Sequence, residues 1–217
     1  MADWGLQVER IESAPFAQNS FVAWRTASDE ALIIDPGFDT RSITELLANR
    51  GLRPVAILNT HGHADHIAGN AEFKQRFPEV PLMIGVNDAR LMEDPQANLS
   101  AMFGMPFVSP PADRILADGE RLMLAGLRIE IREIPGHSPG SVAFVVLACD
   151  PVVVFGGDVL FAGSVGRTDF PEGDSVRLLS GIRAKLYNLP DSAVIHSGHG
   201  PVTTVGVERR TNPFVRG

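Results

Sequence analysis

The sequence predicts an α/β fold in which two β-sheets pack face to face with helices on their outer surfaces, an αββα sandwich. Two observations carry this expectation, and the need of each sheet to bury an apolar face completes it. Apolar residues come in short runs of strand length, at 20–24, 31–34, 55–58, 80–84, 122–124, 127–131, 142–147, 152–155 and 193–195. Between some of these, at 40–49, 67–77 and 176–188, apolar residues recur three and four positions apart, as Leu178, Leu179, Ile182 and Leu186 do, which is the spacing of an amphipathic helix. The strand runs form two hairpin-like clusters, each followed by helical patterns.

With 217 residues, 44% of them hydrophobic and 21% charged, the chain reads as one globular domain spanning 1–217, with neither repeat nor low-complexity tract. Its net charge of −7 and the lack of any dense Lys/Arg run exclude nucleic acid as a first expectation. No apolar stretch reaches the length of a membrane span, because 142–148 and 152–155 are separated by Cys149, Asp150 and Pro151. The N-terminus carries acidic residues where a secretory signal has basic ones, so it reads as mature protein. A single cysteine cannot form an intrachain disulfide; with the missing signal it points to the cytoplasm, and Cys149 itself reads as a turn or core residue. A monomer or small homo-oligomer is expected. Residues 87–114 lack strand periodicity and hold Pro95, Pro106, Pro110 and Pro111 among Met92, Met102, Phe103, Met105 and Phe107. They read as a long insertion, either packed on the body or serving as a substrate-facing lid.

The chemistry is concentrated in Thr60-His61-Gly62-His63-Ala64-Asp65-His66, between the 55–58 strand and a helix expected to begin near His66. Residues two apart in an extended loop project to one side, so His61 and His63 can converge on one ion, while Asp65 and His66 turn toward a second position. Imidazole nitrogen with carboxylate oxygen is a donor set suited to a divalent cation such as zinc. His137 follows the 127–131 strand, Asp158 the 152–155 strand and His199 the 193–195 strand, each flanked by glycine. Alone, His137 or His199 would read as a turn residue. Their shared position just past strand ends, beside the His-x-His-x-Asp-His cluster, makes a joint metal site the better reading. His196, at a strand end without such a motif, reads as structural.

The strings T-H-G-H-A-D-H, P-G-H-S-P-G-S, G-G-D-V-L-F, G-R-T-D-F and G-H-G-P-V-T-T-V-G-x-E-x-x-x-N-P-F, running from about Asn19 to the C-terminus, resemble the metallo-β-lactamase fold hydrolases related to glyoxalase II. The resemblance implies an αββα sandwich of two mixed β-sheets. It implies one metal on His61, His63 and His137, a second on Asp65, His66 and His199, and Asp158 bridging both. Asp35-Pro36-Gly37 resembles the family's early turn at the edge of the site, and reads equally as a plain turn.

The activity so implied is hydrolysis of S-D-lactoylglutathione or a related small thioester by hydroxide generated between two divalent ions, zinc first, with iron or manganese as alternatives. Asp65 resembles the residue that also orients the water or accepts its proton. No Gly-x-Ser-x-Gly is present. The chain lacks the family's C-terminal glutathione-binding region, which resembles the compact group and predicts weak glutathione recognition. Arg167 stands near a glutathione-binding lysine of the family, with Phe170 near a tyrosine. Arg167 is expected either to bind a substrate carboxylate or to pair with Asp169. Two rivals remain: a persulfide dioxygenase with one iron, against which Gly198-His199-Gly200-Pro201 argues, and a metal-stabilised non-catalytic module, against which the complete ligand set argues.

Overall fold

A computed structural model describes residues 5–147 and 149–217. Part of the N-terminal segment read as mature protein, residues 1–4, lies outside the described residues, as does Ala148 of the 142–148 run.

The chain folds as β1 (Leu6–Ser13), β2 (Gln18–Arg25), β3 (Glu30–Ile34), α1 (Thr40–Arg50), β4 (Arg53–Asn59), α2 (Ala64–Ile67), α3 (Asn70–Arg76), β5 (Leu82–Gly85) and β6 (Arg114–Leu116). There follow β7 (Arg121–Leu124), β8 (Leu127–Glu133), β9 (Val142–Val146), β10 (Val153–Gly157), the small ribbon β11 (Leu160–Phe161) and β12 (Ser164–Val165), α4 (Ser175–Gly181), β13 (Val194–Ser197), β14 (Thr203–Thr204) and α5 (Val205–Thr211). One sheet has the order β1-β2-β3-β4-β5-β6 and the other β14-β13-β10-β9-β8-β7. Both are mixed: β3, β4, β5 and β6 pair in parallel, as do β10 and β13, while the remaining neighbours in the two sheets are antiparallel.

Strand alternation builds the layers. In β2, Phe21 and Ala23 point into the core between the sheets while Val22 and Trp24 point outward; Leu32 and Ile34 against Ile33, and Phe144 and Val146 against Val145, do the same. The outward residues are covered by helices. Ile43 and Leu47 of α1 and Phe73 of α3 pack on the first sheet, whereas Leu178 of α4, Ile182 and Leu186 beyond it, and Val205 of α5 pack on the second. Three apolar layers between and outside two sheets make the expected αββα sandwich. Asp39 accepts from Ser42 N at 3.0 Å to start α1, and Gly51, at φ 66°, ends it in the left-handed conformation.

Several boundaries differ from the sequence reading. The 80–84 strand is β5, set by pairing with β4 and β6. The 176–188 helix is α4 followed by one π-helical turn, Ile182–Leu186. The 67–77 helix is broken at Gly69, whose N–H bonds Pro36 O at 2.8 Å, and a side chain there would strike the Pro36 and Gly37 carbonyls. The 87–114 segment holds a short 3-10 turn, Ala89–Glu93, and its last residue already belongs to β6. No helix among the described residues is long and apolar enough to cross a membrane.

Candidate metal centre

β4, β8, β10 and β13 deliver their following loops to one edge of the sandwich, and the structure brings all seven sequence-predicted residues together there. One donor atom from each of His61, His63 and His137 lies within 4.8 Å of the others, and the same holds for His61, His66 and Asp158 and for Asp65, His66 and His199. The helical turn α2 begins at Ala64, two residues before the expected start, so Asp65 and His66 fall on consecutive helical positions and diverge while His63 stays extended. Loops pass this closely only because of glycine: a Cβ on Gly198 would collide with Asp158 Oδ1 and the His66 ring.

Asp158 sits between the two halves of the cluster. Its Oδ1 is 3.3 Å from His66 Nε2, and its Oδ2 lies 3.6 Å from His137 Nε2 and 3.5 Å from His199 Nε2. Asp65 Oδ2 is 3.2 Å from His199 Nε2 and 3.8 Å from His66 Nε2. His63 Nδ1 and His137 Nε2 meet at 2.9 Å.

Three buried atoms, His61 Nε2, His66 Nε2 and Asp158 Oδ1, have no full hydrogen-bond partner, His66 Nε2 and Asp158 Oδ1 lying 3.3 Å apart as an ion pair. An unpaired buried polar atom costs about 1–3 kcal/mol, so three converging on one point call for something that satisfies them. Imidazole nitrogens and carboxylate oxygens converging in this number fit a divalent cation. The far ring nitrogens are held in the manner of ligand histidines. His66 Nδ1 faces Asp35 Oδ2 at 2.9 Å, His61 Nδ1 faces Thr60 Oγ1 at 3.1 Å, and His137 Nδ1 is 2.8 Å from Arg167 O. A carbonyl can only accept, so Nδ1 of His137 carries the hydrogen and Nε2 turns its lone pair to the cluster.

The electrostatics match. Burial holds His61 well below the ordinary imidazole range and pushes His63 down to about 3, which keeps both neutral, the form that binds metal. Burial also lowers His66, but Asp65, Asp158 and Asp35 together raise it well above that range; at His199 burial is outweighed by the hydrogen bond to Asp65 and by Asp158. Burial raises Asp158 and Asp65 while the surrounding imidazoles, His66 first, bring each below the usual carboxylate range. The carboxylates thus create a site that demands positive charge.

Sequence reasoning missed Asp88. Fully buried, it accepts from Gly62 N (2.9 Å) and Ser138 Oγ (2.6 Å) through Oδ2 and from Gly140 N (2.6 Å) through Oδ1, tying the His61–His63 loop to the His137 loop. The one available signal was its position three residues past β5, a strand end like the others. Asp35, left open between two roles, orients the centre: Thr60 N and Thr60 Oγ1 each donate to it at 2.7 Å.

A cavity of about 350 Å³ opens over the cluster, bounded by Phe16, Leu99, Phe103, Phe161, Phe170 and Arg167. The 87–114 segment therefore both packs on the body, through buried Leu91 and Met92, and faces the cavity through Leu99 and Phe103. Arg167 donates to Asp169 through two bonds of 2.9 and 2.8 Å and lies over the Phe170 ring at 4.4 Å. His196 is outside the cluster, packed against Phe21 and Phe155 with its pKa pushed down to about 4 by burial. Cys149, half-buried against the inter-sheet core, is also outside it.

Residues 14–199 match the family model of the metallo-β-lactamase superfamily. The hydroxyacylglutathione hydrolase GloC of Haemophilus influenzae is 37% identical, over 97% of this chain and 98% of its own length. Among solved structures, the BLEG-1 B3 metallo-β-lactamase superposes with a TM-score of 0.91 at 37% identity, covering 97% of this chain and 100% of that one. TTHA1623 in a di-iron-bound form gives 0.83 at 36%, covering 95% and 100%. With that match over most of its length, the same two-sheet architecture and a His/Asp cluster able to hold metal, the chain belongs to the metallo-β-lactamase superfamily.

Proposed function

We infer that this metallo-hydrolase cleaves thioesters, with S-D-lactoylglutathione or a related small thioester as substrate. His61, His63 and His137 would hold one divalent ion and Asp65, His66 and His199 a second, with Asp158 able to serve both. The observation that carries the reading is the placement of Asp158, whose two oxygens face imidazoles of both groups while three buried donor atoms of the cluster lack full hydrogen-bond partners. When bound, the two ions, zinc first, supply Lewis acidity and a hydroxide near neutral pH.

The chain's own groups do the rest. Asp65 lies on the cavity wall with part of its side chain open to it, so it orients the attacking water and holds its proton. Burial and the apolar wall exclude bulk water, which strengthens every charge interaction at the carbonyl. The water oxygen bonds to the carbonyl carbon, the C–S bond breaks, and the departing sulfur takes a proton, giving an acid and a thiol. No Ser or Cys lines the cavity among the described residues, in keeping with attack by water. The similarity to GloC over nearly its whole length supports the thioester reading.

The test is elemental analysis of purified protein together with S-D-lactoylglutathione hydrolysis before and after chelation. Two divalent ions per chain and loss of activity on chelation, restored by metal, are expected. Full turnover by metal-free protein overturns the reading, and one iron per chain with oxygen uptake on glutathione persulfide replaces it with dioxygenation.

A further inference from the structure

Outside the cluster itself, the walls of the cavity are mostly apolar. Besides the cluster residues and Ala64, its lining is Phe16, Leu99, Phe103, Phe161, Phe170 and Arg167. Phe170 stands edge-on to His63 at 5.6 Å and to His137 at 6.0 Å, and Phe161 stands edge-on to His199 at 6.1 Å, so aromatic rings flank both halves of the cluster. Farther out Phe103 meets Phe16 at 4.9 Å, and Phe16 meets Phe38 at 5.9 Å, continuing the wall.

A second observation is independent of the lining. Met102, Phe103, Met105 and Val108 are 39 to 60% exposed, four large apolar side chains within seven residues of the segment whose Phe103 lines the cavity. Single exposed apolar residues are ordinary on soluble proteins, but such a group marks a surface that a ligand covers. A free cationic side chain is also lacking: the one Arg or Lys lining the cavity among the described residues, Arg167, is paired with Asp169.

We propose that this protein, as a thioester hydrolase of the kind inferred above, selects substrates whose acyl group is an apolar chain or ring seated between Phe16, Phe103, Phe161 and Phe170. In this arrangement the rings beside the cluster face the acyl side and the thiol lies toward solvent. Hydrolysis keeps its balance: water adds to the carbonyl carbon, the C–S bond breaks, and a fatty or aromatic acid and a thiol are released.

The experiment compares acetyl, butyryl, octanoyl and benzoyl thioesters of one small neutral thiol with S-D-lactoylglutathione, using metal-loaded enzyme. A methylene in an apolar pocket is worth about tenfold in kcat/KM, so the octanoyl thioester should exceed the acetyl one by at least that factor, mainly through KM. Octanoate should compete at least about tenfold more tightly than acetate. Phe103→Ala should collapse the octanoyl-to-acetyl ratio and Phe103→Leu should keep most of it, with melting curves confirming that both variants fold. Equal kcat/KM across the acyl series, or lactoylglutathione preferred over octanoyl, overturns the proposal and leaves the hydrolase reading standing. Failure of the metal-loaded protein to cleave any thioester overturns both.

Discussion

Asp88→Ala should cost more than any substitution of an exposed residue, although Asp88 touches neither the cavity nor the cluster. The carboxylate accepts three hydrogen bonds, from Gly62 N, Ser138 Oγ and Gly140 N; its removal leaves the two buried N–H groups unpaired, while Ser138 Oγ keeps its contact with Ser141 Oγ at 2.5 Å. Each unsatisfied donor costs about 1–3 kcal/mol. Two effects pull toward the lower end: burial already raises the carboxyl's pKa, so its ionised form is held at some cost, and water can enter the space left behind. The net loss is therefore roughly 2–4 kcal/mol, on the order of 10 °C in melting temperature for a chain of this length. Asp88→Asn keeps Gly62 and Ser138 on its carbonyl but turns an NH₂ toward the Gly140 N–H, costing about 2 kcal/mol. Because the two bridged loops carry His61, His63 and His137, metal affinity should fall by about 10- to 100-fold in either variant, the usual effect of losing a group that orients ligands. Thermal melts of chelated protein isolate the stability term, and metal titration against a chromophoric chelator isolates the affinity term. If Asp88→Ala melts within about 2 °C of the parent and binds metal equally well, the clamp has no energetic role.

Asp158→Ala should lower metal content from two ions to one and reduce kcat by about 100-fold or more, since two cations without a carboxylate between them repel; normal stoichiometry and turnover would refute its central placement. His196 supplies a pH prediction. Its folded pKa of about 4 lies below its unfolded value of 6.5, so the unfolded chain binds its proton first and stability falls as pH drops from about 6.5 to about 4. The loss is on the order of 3 kcal/mol at most. His196→Leu should flatten the melting temperature against pH over that window, and an unchanged slope would show that His196 is not the group responsible. Arg167→Ala removes the cation from over the Phe170 ring, so KM should rise by about two- to fivefold with kcat little changed, for neutral and anionic thioesters alike. A rise confined to anionic thioesters would instead mean that Arg167 leaves Asp169 to bind a substrate carboxylate.

The parts of this molecule that could be read from sequence are those whose signal is local. Short apolar runs at 20–24, 31–34 and 142–147 marked strands, and three histidines within six residues marked the centre. β1 escaped because it is an edge strand with only Ser13 fully buried, and its charged Glu9, Arg10 and Glu12 hide the period. β6 and β14 are too short to show one. Phe16 and Phe161 are separated by most of the chain, and only closure of the sandwich makes them two walls of one cavity.

The same distinction explains why the supports of the centre were harder to read than its donors. A histidine cluster declares itself by residue type, whereas an aspartate is an ordinary loop residue until its partners are known. Asp35 holds the 60–66 loop from one side, through Thr60 and His66, and Asp88 holds it from the other, through Gly62; their partners lie 25 or more residues away. Asp35 adopts φ 49°, a left-handed conformation that costs a non-glycine residue about 1–2 kcal/mol. That cost is offset by its two short bonds from Thr60 and by the His66 contact, so the strain is stored where it aims a ring nitrogen. Replacing Asp35 by asparagine would keep the backbone tolerance but give His66 Nδ1 a neutral amide to face. His66 Nε2 would then lose orientation and basicity together, and metal affinity would fall although no donor atom had been removed.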